Sequence, residues 1–539
     1  TIGVDNYQNK QTKYESSQNA TGRNVQGRLE IYDRNYIGYI SFVQATFDKT
    51  FKEQHTVNFL AGTQVEDKNT ELLRGSATGF TYDRLRVLNM GSNPTSASST
   101  NENATISYYS QLGYDFNKKY YANFNGRLDK SSIFGGDKQV AFNGSAGLAW
   151  VISNEDFLKG NKTFSFLKFR TTYGSTGNSR IGSYAARGLY DFGTASGNNY
   201  NGNVASFPDN SGAPNPDLGW EKNFKLNFGL DLTLLNNVQV TAEYFSNTIV
   251  DLISSVNVPL ETGYATISAN TGKMRNKGFE LSINSDIMQR KNFNWNLALN
   301  LGTNKNKILS FNNGYAALYS ASTDAAALKV GGSSSAVYGY RWAGVDPQTG
   351  AEQFYDASGQ LKTANEIQAL PISSTSILGD RLPDFQGGLI NNFNLYNFNL
   401  SFNILYSYGA DKFLNYVDES DGRNLQNRNQ SVNLLDRWQR PGDVTDIPRL
   451  TLIRDIVANS SRYLYDMSYL KLSNISLGYK LSNSLANKLH LANASVFANA
   501  TNLLYVYKDA GTKGRNGIAE RRFIYPETSA FTLGLRVGL

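Results

Sequence analysis

The chain of 539 residues contains no cysteine and two histidines, and 52 Lys+Arg against 45 Asp+Glu leave a net charge of +7. This excludes a disulfide framework, a thiolate metal site, a cysteine nucleophile and a histidine-rich metal centre, and it gives no nucleic-acid signal for a chain of this length. No run approaches the roughly 18 uninterrupted apolar residues of a membrane helix, whereas 33 Tyr, 30 Phe and 48 Gly with 18% charged residues suit β-structure.

The chain begins TIGVDNYQ, without an initiator Met or a basic-plus-apolar leader, and reads as a truncated product. From there, alternation with a period of two predicts strands over 24–33, 36–48, 55–67, 104–116, 119–130, 139–151, 164–175 and 223–235. It continues over 238–250, 273–286, 292–306, 384–396, 398–410, 468–480, 494–505 and 528–539. In 224–234, Phe224, Leu226, Phe228, Leu230, Leu232 and Leu234 share one face, opposite Lys225, Asn227, Gly229, Asp231 and Thr233. Residues 398–408 repeat the pattern, with Phe398, Leu400, Phe402, Ile404, Tyr406 and Tyr408 on one side. So do 279–287 and 295–301, through Phe279, Leu281, Ile283 and Ile287 and through Trp295, Leu297, Leu299 and Leu301. Roughly sixteen segments of about 10–13 residues match the length of tilted membrane strands better than that of soluble sandwich strands.

The connections alternate. Asn117–Lys118, Asn236–Asn237, Asn397 and 287–291 are short, and 176–222, 251–272, 307–383, 411–467 and 506–527 are long. With a periplasmic C-terminus every long connection falls outside, as in outer-membrane barrels. The expected fold class is all-β, a transmembrane antiparallel barrel whose apolar stripe meets lipid and whose polar stripe meets the lumen. Gly113, Gly126, Gly147, Gly229 and Gly302 are expected to permit bends or close approach within strands.

Several stretches are familiar: YGSTGNSRIGSY (173–184), PNPDLGWEKN (214–223), GYRWAGVDPQTGAEQFYDASG (339–359), GDRLPDFQGGLINNFNLYNFNLSF (379–402), SYLKLSNISLGYKL (468–481) and YPETSAFTLGLRVGL (525–539). In this order they resemble the SusC/RagA-like TonB-dependent transporters of Bacteroidota outer membranes. The resemblance implies a 22-stranded barrel with an N-terminal plug. Residues 1–539 would be its C-terminal part, with the signal peptide, the TonB-contacting segment, the plug and the first strands lying outside it. It also implies import of oligosaccharides or peptides, a SusD-like surface lipoprotein as lid, TonB acting through the missing N-terminal region, and outer-membrane lipid as surroundings. No enzyme activity and no cofactor are expected. Rival readings are a passive 16-stranded porin, a barrel enzyme and a soluble glycan-binding β-protein.

Candidate site residues follow from chemistry. Tyr108, Tyr114, Tyr120, Tyr244, Trp295 and Tyr479 suit interfacial girdles. Tyr190, Tyr200, Trp220, Tyr315, Tyr319, Trp342 and Trp438 lie in long connections, where ring faces can pack on sugar C–H faces. Of these, Tyr200, Tyr319 and Trp438 are the substrate-binding candidates, while Trp220 and Trp342 are assigned to structure. Asp418, Glu419 and Asp421 with Gly422 read as a solvated loop rather than a Ca²⁺ site, and Asp346 and Asp356 as turn caps. Phe531, Leu533, Leu535, Val537 and Leu539 alternate to the carboxyl terminus and form a candidate assembly signal.

Overall fold

The computed structural model describes residues 1–192, 199–200, 203–204, 206–208, 212–312, 317–319, 327–413, 432–450, 457, 459–508 and 528–538. Among the described residues, seventeen strands form one large sheet. They are β1 (Ile2–Glu15), β2 (Arg28–Phe51), β3 (His55–Phe80), β4 (Gly91–Phe116), β5 (Tyr120–Ser131), β6 (Val140–Val151), β7 (Phe164–Asn178) and β8 (Glu221–Leu234). Then come β9 (Val238–Asn257), β10 (Thr266–Arg290), β11 (Phe293–Gly302), β12 (Lys305–Phe311), β13 (Phe385–Leu395), β14 (Phe398–Tyr408), β15 (Tyr469–Lys480), β16 (Asn493–Tyr507) and β17 (Ala530–Gly538).

From 55 onward each expected segment corresponds to a strand, although β3 and β4 each run 13 residues beyond the expected 55–67 and 104–116, and three further differences stand out. The expected strands 24–33 and 36–48 are one strand, β2, because Arg34 and Asn35 interrupt the apolar pattern without interrupting the ladder to β3. β1 was not expected: IGVDNYQNKQTKYE offers little contrast between its faces, yet all its residues pair with β2. The expected strand 292–306 is divided, and 305–311 pairs back to β10 instead of continuing β11.

The chain divides into two units. The first comprises residues 1–148, 172–224 and 249–271. Here β1 to β5 form a meander, each strand antiparallel to the next. Connections 52–54 and 117–119 each hold two successive residues at positive φ, Lys52 and Glu53 at 48° and 58° and Asn117 and Lys118 at 55° and 53°. Asn117 suits this backbone, since its short polar side chain tolerates the left-handed region. Lys68–Phe80 of β3 pair with Gly91–Asn103 of β4 as a ribbon rich in Ser, Thr and Asn. Leu29, Ala77 and Phe80 pack together near the free ends of β2 and β3. A second core joins Ile133, Phe134, Leu218 and Trp220.

The second unit comprises residues 149–171, 225–248 and 272–539. β10, β11, β13, β14, β15, β16 and β17 follow as antiparallel neighbours. Between β12 and β13 lies a small module: strands Arg341–Val345, Glu352–Tyr355 and Leu361–Thr363, then helix α1 (Ala364–Gln368). Thr363 and Glu366 close the helix start reciprocally, each side chain accepting from the other's backbone N–H. Tyr340, Phe354, Ile367 and Val457 form the module's buried core.

Within each unit the strands show two unlike faces. Val43, Phe47, Phe59, Tyr108, Phe124 and Phe142 share the apolar face in the first unit, and Val43 is 70% and Phe142 62% exposed. Phe228, Tyr244, Phe279, Leu477 and Leu533 do the same in the second. An aqueous protein rarely exposes so continuous an apolar surface. The observation matches strands whose outward side meets lipid.

Candidate functional site

The opposite face carries hydrogen-bonded belts. In the first unit, Arg127 Nε donates to Asp129 Oδ1 at 2.7 Å and its Nη2 to Ser107 Oγ at 2.8 Å. Ser107 Oγ in turn donates to Asp129 Oδ1 at 2.6 Å. The Arg127 guanidinium lies over the Tyr109 ring at 5.7 Å. Asn125 Nδ2 reaches Ser145 Oγ at 3.1 Å. Period-two alternation dictates this, since Ser107 and Tyr109 are out of phase with Ile106 and Tyr108.

The second unit has a denser belt. Arg170 Nε bonds Asp231 at 3.1 Å, and its Nη2 pairs with Glu243. Asn227 Nδ2 donates to the other oxygen of Glu243 at 3.1 Å, and Thr241 Oγ1 to Asp231 at 3.3 Å. Gly229 makes room for this: a Cβ there would stand 2.6 Å from Arg170 Cζ. The sequence expectation of close approach is met at Gly229, whereas at Gly113, Gly126 and Gly302 a Cβ would meet nothing nearer than 3.6 Å. Farther along, Asn296 Nδ2 donates to Asn284 Oδ1 at 2.9 Å and Asp286 Oδ1 at 3.1 Å. Asn392 Nδ2 donates to Asn296 at 3.4 Å, and Ser401 Oγ to Asn392 at 2.8 Å. The chain of side chains crosses β10, β11, β13 and β14.

Beside these belts is a cavity of about 510 Å³, lined among others by Glu243, Glu280, Asn300, Gln386, Leu405 and Tyr469. Tyr469 stands at the start of β15, its ring centroid 6.3 Å from Tyr505 and 6.2 Å from Tyr507 of β16. Tyr505 and Tyr507 are parallel within 5° at 5.4 Å. Lys471 Nζ caps Tyr505 at 4.3 Å. The residue composition of the loops does not signal this group. Phase does, because Tyr469, Lys471, Tyr505 and Tyr507 alternate with Leu470, Leu504 and Val506, which are about half exposed on the apolar face.

The sequence-derived candidates fall in different places. The backbones of Tyr200 and Tyr319 lie in short hairpins, Asn199–Tyr200 with Asn203–Val204 and Ala317–Tyr319 with Ala327–Lys329, but their side chains lie outside the described residues. The same holds for the side chain of Tyr190 and for Tyr315, Asp418, Glu419, Asp421, Gly422 and Leu539. Trp438 is half-buried against the module: Nε1 donates to the Pro347 carbonyl at 2.8 Å. Its ring covers Gly350, where a Cβ would stand 2.4 Å away. Trp220 donates from Nε1 to the Gln139 carbonyl at 2.8 Å and stacks obliquely on Phe134 at 4.5 Å. Trp342 has the Arg462 guanidinium over it at 5.2 Å, and Arg462 pairs with buried Glu352.

Asp346 and Asp356 cap their turns. Asp346 accepts from the Gln348 N–H at 2.9 Å and the Thr349 hydroxyl at 2.6 Å. Asp356 accepts from the N–H groups of Ser358 and Gln360, both at 2.9 Å. The Thr349 hydroxyl first and the Gln348 N–H second hold Asp346 below the usual carboxylate range. In the first unit, Asp83 collects the hydroxyls of Ser16 and Tyr14 at 2.6 and 2.7 Å and the Ser17 N–H at 3.2 Å. These bonds, that of Ser16 foremost, lower Asp83 to about 2.

Of the girdle candidates, Tyr108, Tyr114, Tyr120, Tyr244 and Tyr479 are exposed on the apolar face. Trp295 has a further task, donating from Nε1 to Asn391 Oδ1 at 3.1 Å and so satisfying an amide on that face. His55 Nδ1 lies 2.7 Å from Tyr114 Oη among aromatic rings. In β17, Phe531, Leu533, Leu535 and Val537 point to the apolar face, Phe531 76% and Leu533 79% exposed, and pair with Ala500, Ala498, Val496 and Ala494.

Comparison with known proteins agrees with this architecture. Residues 2–503 match the family model described as TonB dependent receptor-like, beta-barrel. TonB-dependent receptor P3 of Formosa agariphila is 27% identical, over 100% of this chain and 56% of its own length. TonB-dependent receptor SusC of Bacteroides thetaiotaomicron is 28% identical over 80% of this chain and 43% of its own length. Among solved structures, the RagAB peptide transporter superposes with a TM-score of 0.81 at 25% identity, covering 94% of this chain and 56% of that one. The chain thus spans about half the length of the curated relatives it matches. With its apolar outward stripes and polar inner belts, the chain belongs to the TonB-dependent receptor β-barrel family of the outer membrane.

Proposed function

We propose that this chain forms the barrel wall and external loops of an energised importer that takes oligosaccharides through the outer membrane. The observation that carries the reading is the opposition of faces on the same strands. Apolar side chains are exposed on one side, while carboxylates, carboxamides and hydroxyls form hydrogen-bonded groups across neighbouring strands on the other. A lipid-anchored wall with such a lumen can pass polar cargo without exposing it to hydrocarbon. The module of residues 336–380 and the loop around Trp438 supply a folded external surface on which a SusD-like lipoprotein lid would act. TonB coupling is assigned to the part of the protein that the relatives possess beyond the length matched here. The likeness to a peptide transporter makes short peptides the second cargo reading.

The test is uptake of labelled oligosaccharide by cells carrying the full-length protein, with TonB intact and deleted. Accumulation that vanishes without TonB is the expected result. Uptake that continues unchanged without TonB, with steady conductance of the purified protein, would establish a diffusion channel instead.

A further inference from the structure

We infer that the cavity between the Arg170 belt and Tyr469 is a binding subsite for an uncharged glycan segment, with Tyr469 as the platform for a sugar ring. The inference rests on the importer reading and adds to it a place and a charge preference. Its lining joins an aromatic ring to hydrogen-bonding groups of several kinds: the carboxylates of Glu243 and Glu280, the carboxamides of Asn300 and Gln386, and the hydroxyl of Ser282. Carboxylates and amide oxygens accept from sugar hydroxyls, amide N–H groups donate to them, and an aromatic face takes the apolar C–H side of the ring. Leu405 extends that apolar surface beside Tyr469.

The platform is braced. Tyr505 and Tyr507 hold Tyr469 from one side at 53° and 58°, so the ring is oriented before cargo arrives. Such preorganisation lowers the ordering cost of binding. The charge preference follows from the lining, which among the described residues includes two carboxylates and no cationic side chain, the neighbouring Lys471 opposite Leu405 having its ammonium over the Tyr505 ring. Arg170 contacts Glu243 but is already shared with Asp231. An anionic sugar would bring a third negative charge to Glu243 and Glu280, whereas a neutral one meets no such repulsion.

Full-length protein is tested for binding of maltoheptaose, laminarihexaose, tetragalacturonate and an alanine-rich octapeptide, and for uptake of whichever ligand binds. A neutral glucan is expected to bind, with affinity falling about tenfold in Tyr469→Ala and retained in Tyr469→Phe. Tetragalacturonate is expected to bind more weakly than the neutral glucan, and to gain in Glu280→Gln. Normal surface abundance of each variant shows that assembly is intact. Failure of both glucans to bind, preference for tetragalacturonate or the octapeptide, or a neutral-glucan affinity unchanged in Tyr469→Ala overturns the subsite. Neutral-glucan binding that depends on Tyr469 while uptake ignores TonB sinks the importer reading and leaves the subsite standing. TonB-dependent uptake that is indifferent to Tyr469 does the reverse.

Discussion

In the module of residues 336–380, Phe354 and Ile367 are buried and the polar turns of Asp346 and Asp356 face water. In β11, within the same unit, Leu297, Leu299 and Leu301 are partly covered by their neighbours but stand in register with Leu281, on the face where Phe279 is left exposed, while Asn294 and Asn300 take the opposite face. One segment places its apolar side chains at the centre and the other at the periphery, because their solvents differ. Alternation alone is neutral between these arrangements. Exposure separates them, since an apolar stripe left uncovered in the folded chain requires hydrocarbon outside.

The sharpest way to break this contrast is to attack each region in its own terms. Phe354→Ala should cost the module about 3–5 kcal/mol, as expected for a large ring removed from a packed core. Amide exchange across 341–363 should accelerate while exchange in β13 and β14 stays unchanged. Leu299→Arg, on the lipid side, should lower barrel stability by about 2–4 kcal/mol near the membrane midplane, against little change for Asn294→Arg. Equal effects at these two positions in denaturant titrations of the protein in lipid would refute the facing assignment.

Gly350→Ala should destabilise the module by about 1–3 kcal/mol, because φ is 70° there and the Trp438 ring occupies the space of a side chain. Adding Trp438→Ala should return part of that loss, leaving the backbone cost; a strictly additive double mutant would remove the ring from the explanation. The smallest effect is expected at Asp83. Its carboxyl is lowered to about 2 in the folded chain, below the ordinary value of 3.8, so its bonds to Ser16, Tyr14 and Ser17 are fully present above about pH 4 and lost as pH falls through 2. Proteolysis between residues 16 and 27 should increase over that interval, and in Asp83→Asn the increase should disappear.

Much of the wall was legible in the sequence because lipid enforces contrast between its faces. β13, β14 and β15 lie within two residues of their expected limits for that reason. β1 and the far half of β4 were hidden because both faces there are polar and period two has nothing to alternate. The site was less accessible. Trp438 stands out in the sequence as an aromatic in a long loop, but what it meets, Gly350 and the Pro347 carbonyl, lies about ninety residues away in sequence. Nothing in the sequence singles out Tyr469, Tyr505 and Tyr507, since their significance depends on phase across two strands joined only after folding. The Arg170 group likewise assembles from β7, β8 and β9, and no local motif links Arg170 to Glu243.

The ribbon formed by Lys68–Phe80 and Gly91–Asn103 continues the ladder beyond the last well-exposed apolar pair, Val65 and Ile106. Thirteen residues at about 3.3 Å each give it a length of about 43 Å along its own axis. β2 pairs along the same stretch of β3, and β1 pairs with β2 in turn, so the extension is four strands wide and carries Ser, Thr and Asn together with Lys68, Glu71, Arg74 and Glu102. A two-stranded ribbon of that reach would be marginal in water by itself, whereas four hydrogen-bonded strands hold their shape beyond the lipid-facing stripe.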